Sequence, residues 1–276
     1  MKAIRADDPN DVLWANTQNT DCWRFGRRIL TTIVGLVICA ANFAALIYLN
    51  SVKNNDHSAI DKLQKEGKEI APKQYYDIQI WSIICAISII VSNEVGRFAL
   101  SFFVNEESYP TVSQLLTEKV KVISVFKFIN SAIVPMGASF FGVTNFEAQF
   151  TAGGLVDDIS AVFVYYALIH QLFYLIDPLY LFKQCRKCCL FKVTQKSDGE
   201  VYLPKLTQSE AEQLFEGPKL DITMHVHDTV FVFWVAMFYM PLLPAGCFAA
   251  LLAFYTNVMY VKLKLLTQHK KPPHID

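Results

Sequence analysis

The sequence predicts an all-helical, polytopic membrane protein with about six transmembrane helices. Three observations carry that prediction. Apolar residues make up 53% of the 276 residues and charged residues only 18%. The apolar residues fall in long blocks, not in an amphipathic period, and a spanning helix needs roughly 20 of them. When the blocks are threaded alternately through a bilayer, the basic clusters collect on one side. The net charge is zero, so no nucleic-acid partner is expected. No nucleophile elbow, phosphate loop or HExxH signature is present, so no enzymatic activity and no cofactor or metal is expected.

The elements follow in order. Residues 1–28 are polar, end in Arg24, Arg27 and Arg28, and read as a cytosolic N-terminal segment with no cleavable signal peptide. A transmembrane domain over 29–266 follows. Its first span, 29–49, carries small residues suited to close helix packing, and Asn42 as either a helix–helix hydrogen bonder or a pore-lining group. A polar loop is expected over 50–77, with five lysines balanced by five acids and a short amphipathic helix at 61–69 that Ala71-Pro72 stops. The second span, 78–104, contains Asn93, Glu94 and Arg97; Glu94 and Arg97 are three apart and can pair on one face.

The third span, 119–143, organises the rest. Lys127 sits in it where lipid tolerates no charge, so its side chain must face protein or a water-filled path. Asn130 shares that face. Pro135 and Gly137 loosen the helix one turn further on. The outer loop at 144–157 holds Gly153-Gly154 and no lysine or arginine. The fourth span, 158–182, carries His170, read either as a packing residue or as a proton relay, and ends near Asp177-Pro178.

A cytosolic loop over 183–221 begins with a basic cluster around Cys185, Cys188 and Cys189. Juxtamembrane cysteines among basic residues suit S-palmitoylation; a zinc site needs four ligands, and no further one lies nearby. The seven cysteines form no disulfide framework, because no two lie in an expected outer loop. Asp221, His225, His227 and Asp228 cluster at the start of the fifth span, as wet helix-end residues or as metal ligands. The fifth and sixth spans divide at Pro241 and Pro244, which lack backbone donors, beside Gly246. A cytosolic tail, 267–276, puts both termini on the same side.

Spans two and three are joined by a short connection and should be neighbours. Glu94 and Lys127 then lie at similar depth, about 12–15 Å from the inner edge. The expectation is one polar cluster of Glu94, Arg97, Lys127 and Asn130 lining a path, with helix hinges at Pro135, Gly137, Gly153, Gly154, Pro241 and Pro244.

Three stretches resemble the OSCA family of osmotically or mechanically gated, calcium-permeable cation channels, whose fold is related to the anoctamins. Pro9-Asn-Asp11-Val-Leu-Trp14-Ala-Asn16 is similar to that family's stretch before a membrane span. Lys127-Phe-Ile-Asn130-Ser-Ala-Ile-Val-Pro135 resembles its polar-lined helix. Phe215-Glu-Gly-Pro218 and Tyr239-Met-Pro-Leu-Leu-Pro-Ala-Gly246 resemble its late pair of spans. The resemblance implies a plasma-membrane channel subunit, stretch- or osmolality-gated, that passes calcium and other cations, contacts membrane lipid and forms a homodimer. It also implies further spans and a cytosolic domain, so a partial chain is expected. This chain departs from the family at Val258-Met259, where an Asp-Lys pair is usual, and lacks the gating-helix glycine between residues 159 and 182. The alternatives are an anoctamin-like lipid scramblase, and a non-conducting fragment or accessory subunit.

Overall fold

The computed structural model describes residues 11–18, 21–65, 72–142, 154–170, 182, 185 and 222–267. Among these, all regular structure is helical, with one isolated antiparallel bridge between Val12 and Thr111. Helix α1 (Asp21–Lys65) packs against α2 (Pro72–Asn105). Helix α3 (Val112–Phe128) passes through a π-helical segment (Ile129–Ile133) into α4 (Val134–Gly142). Helix α5 (Leu155–Val164) runs into a second π-helical segment (Tyr165–Ile169). Helices α6 (Ile222–Tyr239) and α7 (Ala245–Thr267) form a hairpin. α3 lies between α2 and α6, α4 lies on α1, and α5 touches α2 and α7.

Burial is inverted relative to a water-soluble protein. Asn93, Lys127, Asn130, Ser131, His227 and Asp228 are buried, while Leu36, Phe98, Phe141, Phe248 and Leu251 face outward. Charged side chains are almost never buried unless paired, and an apolar exterior suits lipid as solvent. Small residues line the helix contacts: Ala86, Ala132, Ala138, Ala167, Ala236 and Ala253 are all buried, as close approach of helices in lipid requires. The chain is therefore an all-α polytopic membrane protein.

Among the described residues, five stretches are long and apolar enough to cross a membrane: Cys22–Lys53, Gln79–Asn105, Val112–Phe141, Ile222–Tyr239 and Ala245–Leu266. The span expected over 158–182 starts as α5 at Leu155 and is described to His170. Gly153, Asp177, Cys188, Cys189, Asp221, most of the 183–221 loop and the tail lie outside the described residues.

One boundary expectation needs correction. Helix α1 is described from Asp21, ahead of the span expected over 29–49. The expected loop over 50–77 is mostly helix, since α1 continues to Lys65 and α2 opens at Pro72. No glycine or proline interrupts 50–65, so an established helix propagates through these polar residues. Pro72 opens α2, because a first-turn proline gives up only a donor that is orphaned there anyway.

Two glycines permit close contact. A Cβ at Gly96 would stand 2.1 Å from Cε1 of Phe126, so the Phe126 ring crosses α2 only because position 96 has no side chain. At Gly137 the same atom would meet Phe43 at 3.3 Å, which brings α4 against α1.

The segment before α1 fastens the α2–α3 connection. The Leu13 amide donates to the Pro110 carbonyl and the Val112 amide to the Asp11 carbonyl. Asp11 Oδ1 accepts from the Ser113 amide at 3.0 Å, and Asn16 Nδ2 donates to the Tyr109 carbonyl at 2.9 Å. Thr111 caps α3 by accepting from the Gln114 amide. Behind this connection Thr31 and Tyr109 both donate to the buried Glu107 carboxylate, and Arg28 Nε donates to the Tyr109 hydroxyl. Burial, then the Glu107 hydrogen bond, push the Tyr109 phenol up, so it stays a donor.

Candidate functional site: a buried charge and amide network

Lys127 lies in the last turn of α3 with its side chain 0% exposed. Its Nζ donates to Asp228 Oδ1 of α6 at 2.6 Å. Glu94 of α2 approaches from the other side, its Oε1 at 3.7 Å from the same ammonium. Glu94 Oε2 accepts from Arg97 Nε at 2.8 Å, one turn along α2. Both imidazoles converge on the Asp228 carboxylate: His170 Nε2 is 2.9 Å from Oδ2 and His227 Nδ1 is 3.0 Å from Oδ1. The Tyr166 and Phe231 rings flank Lys127 Nζ, with centroids 5.6 and 5.9 Å away. Two formal cations thus face two formal anions in one desolvated cluster.

A second layer of neutral groups continues from it. Asn130 Nδ2 donates to Asn93 Oδ1 at 2.9 Å, and Asn93 Nδ2 donates to Ser131 at 2.7 Å and to the Tyr166 hydroxyl at 3.1 Å. Asn42 Nδ2 of α1 donates to Asn130 Oδ1 at 3.0 Å, and Ser88 donates to Asn42 Oδ1. In a low-dielectric interior an unpaired amide is costly, so this mutual satisfaction fixes helix register.

The local sequence explains how α3 presents these groups. Pro135 has no amide proton, so the Ser131 carbonyl loses its usual partner. The helix accommodates the proline by widening over Ile129–Ile133, where the Val134 amide reaches the Ile129 carbonyl. The Tyr239 hydroxyl of α6 donates to the Ala132 carbonyl at 2.7 Å. Such π segments often mark functional positions, and this one buries Asn130, Ser131 and Ala132.

The structure brings Glu94, Arg97 and Lys127 into one cluster and places Asn130 in the adjoining amide layer. Lys127 faces protein on all sides and lines no open path in this conformation. Pro135 and Gly137 lie in α4 just beyond the π segment, and Pro241 and Pro244 in the turn between α6 and α7. Gly154 caps α5 in extended conformation. Cys185 is exposed. Sequence reasoning missed the centrality of Asp228, which is 4% exposed; a span holding a carboxylate and a span holding a lysine were a signal for pairing them. It also missed Lys53 and Asp158, buried and 3.0 Å apart, where α1 meets α5.

A helical bundle that turns apolar groups outward and encloses its charges and amides is an integral membrane protein. A family profile described as "Anoctamin: Calcium-activated chloride channel" matches residues 4–275, and the chain belongs to the anoctamin family. The match does not single out the OSCA branch. No curated protein matches the chain.

That description raises the question of calcium. The ion takes six to eight oxygen ligands, commonly carboxylates (about 2.3–2.6 Å). Among the described residues no group of three or more His, Cys, Asp or Glu is arranged to hold a metal. Asp228 faces Lys127 and two histidines, and Glu94 holds Arg97. The described residues do not fit a calcium site.

Proposed function

We propose that the chain is a subunit of a stretch- or osmolality-gated ion channel that passes cations, calcium among them, through a path along α3. The observation that carries this reading is the buried Lys127–Asp228 contact between α3 and α6. A charge pair at this depth is stable only while closed on itself or while wetted. Closed, it seals the bundle; parted, it leaves charges that require water, and water at mid-depth is a conducting path. Membrane tension favours whichever state has the larger area in the bilayer plane. Separation of α3 from α6 increases that area. Cation preference and dimerisation follow the OSCA resemblance, since the cluster itself is formally neutral. The distribution of basic residues supports N- and C-termini in the cytosol, and the OSCA resemblance supports a plasma-membrane location.

A second reading is lipid scrambling. It is favoured by Glu94 and Arg97, which keep 23% and 12% side-chain exposure on a helix whose neighbouring Val95 and Phe98 face lipid. A polar edge open to lipid is what a passing headgroup needs.

Patch-clamp of the purified chain in liposomes under graded tension tests the first reading. Tension-gated current is expected, with Asp228→Asn lowering the threshold and a reversal potential in a calcium gradient that reports cation flux. Chloride-selective current would refute cation conduction. Labelled-lipid flip without current would favour scrambling, and silence in both assays would leave an accessory role.

A further inference from the structure

Three helices carry polar groups at two levels. At the first level Asn42 of α1, Asn93 of α2 and Tyr166 of α5 belong to the hydrogen-bonded amide layer. Lys53 lies eleven residues beyond Asn42 on α1, and Ser82 eleven residues before Asn93 on α2. Eleven residues are close to three full turns, so each shares a buried face with its amide and stands about 17 Å further along the bundle. There Asp158, in the first turn of α5, accepts from Lys53 Nζ at 3.0 Å, with the Ser82 hydroxyl beside it. Leu46, Ala86, Ile89 and Val162 are buried between the two levels.

The far level differs from the Lys127 cluster in charge balance. Asp157 adjoins Asp158 in the same first turn, so the described residues place two acids against one lysine there. The stretch 144–158 adds Glu147 and holds no lysine or arginine. The two partners also differ in reach. Lysine carries its charge on a flexible four-carbon stem. Helix α1 continues to Lys65, beyond the apolar stretch that ends at Lys53. When the pair parts, the Lys53 ammonium can extend along α1 to water. The Asp158 carboxylate, one methylene from its backbone, stays in the entrance.

We propose that Asp158 sets the cation preference of the conducting path, with Lys53 as its counter-ion only while the bundle is closed. This rests on the channel reading above and supplies the charge asymmetry that the neutral Lys127 cluster lacks. Fixed acids at an entrance concentrate cations and exclude anions.

Reversal potentials of tension-gated current in a dilute KCl gradient test this. The permeability of potassium relative to chloride should fall about fourfold in Asp158→Asn, the effect of one unit charge roughly 10 Å away in water on a cation and an anion together. Asp158→Glu should keep the parent ratio. Lys53→Met should open at lower tension, because an unpaired buried acid demands water, and should leave the ratio unchanged. If Asp158→Asn does not fold, the double variant Lys53→Met with Asp158→Asn leaves neither charge alone and should show the same fourfold fall. A parent ratio in whichever of these two variants conducts would overturn the assignment to Asp158. A ratio raised by Lys53→Met would show that the ammonium stays in the entrance and overturn its withdrawal. Silence of the parent chain would overturn the channel reading itself, a result distinct from current with unaltered selectivity.

Discussion

Lys127 and Asp228 define the residue scale. Removing one partner of a buried pair leaves an uncompensated charge, at about 3–5 kcal/mol. Lys127→Met should therefore lower the thermal midpoint of the purified chain sharply, and Lys127→Met with Asp228→Leu should recover most of the loss. If the double variant is no more stable than the single one, the two residues are not energetically coupled. Gly96→Ala forces the Phe126 ring aside and should cost about 1–3 kcal/mol; Phe126→Leu in the same chain should relieve part of it. Half of this cluster was legible in the sequence. Glu94, Arg97 and Lys127 stand out because ionised groups inside long apolar blocks have few bland explanations. Asp228 did not, because it lies close to the start of a short span. Whether such a residue sits at a wet rim or in the core depends on how deep its helix is seated, and packing against α3 decides that. The Asn42–Asn93–Asn130 layer was hidden for a related reason: each amide is unremarkable until three helices bring them together.

At the scale of elements, α3 and α4 form one span interrupted by a π segment. Pro135 sets the interruption, so Pro135→Ala should let the residue-135 amide donate to the Ser131 carbonyl and return Ile129–Ile133 to α-helical pairing. Hydrogen exchange should then slow at residues 133–136, and the tension threshold of any current should move. Unchanged exchange would mean that interhelical bonds such as Tyr239 to Ala132, and not the proline, maintain the widened turn. The proline was readable as a weak point; the form of the accommodation was not, because it depends on α6. The misjudged loop at 50–77 shows the opposite limit. Polar composition signals solvent, but only a glycine or proline signals the end of a helix, and none occurs at 50–65.

Across the whole molecule, the segment at 11–16 connects the start of the described chain to the α2–α3 turn nearly a hundred residues later. Asp11→Ala with Asn16→Ala should speed amide exchange at Leu13 and Val112 while leaving α6 and α7 unaffected. If exchange there does not change, the segment only rests on the turn. The membrane class and antiparallel helix order were legible from hydropathy alone, because a bilayer imposes length and satisfaction rules that soluble folds do not. The partners of each helix were not, since lipid-facing and protein-facing apolar residues look alike in sequence.

The Lys127–Asp228 pair also bears on biogenesis. The two residues are 101 positions apart, so α3 leaves the ribosome well before the carboxylate that neutralises it. A lone lysine at the centre of a newly inserted helix costs about 3 kcal/mol, and in that interval the acid already synthesised beside it is Glu94. The 3.7 Å approach of Glu94 to Lys127 then serves a nascent chain: an interim counter-ion that lets α2 and α3 enter the bilayer as a pair. A chain stopped before α6 should insert α3 normally by glycosylation mapping and fail to do so with Glu94→Leu; equal insertion of both would show that Lys127 needs no escort.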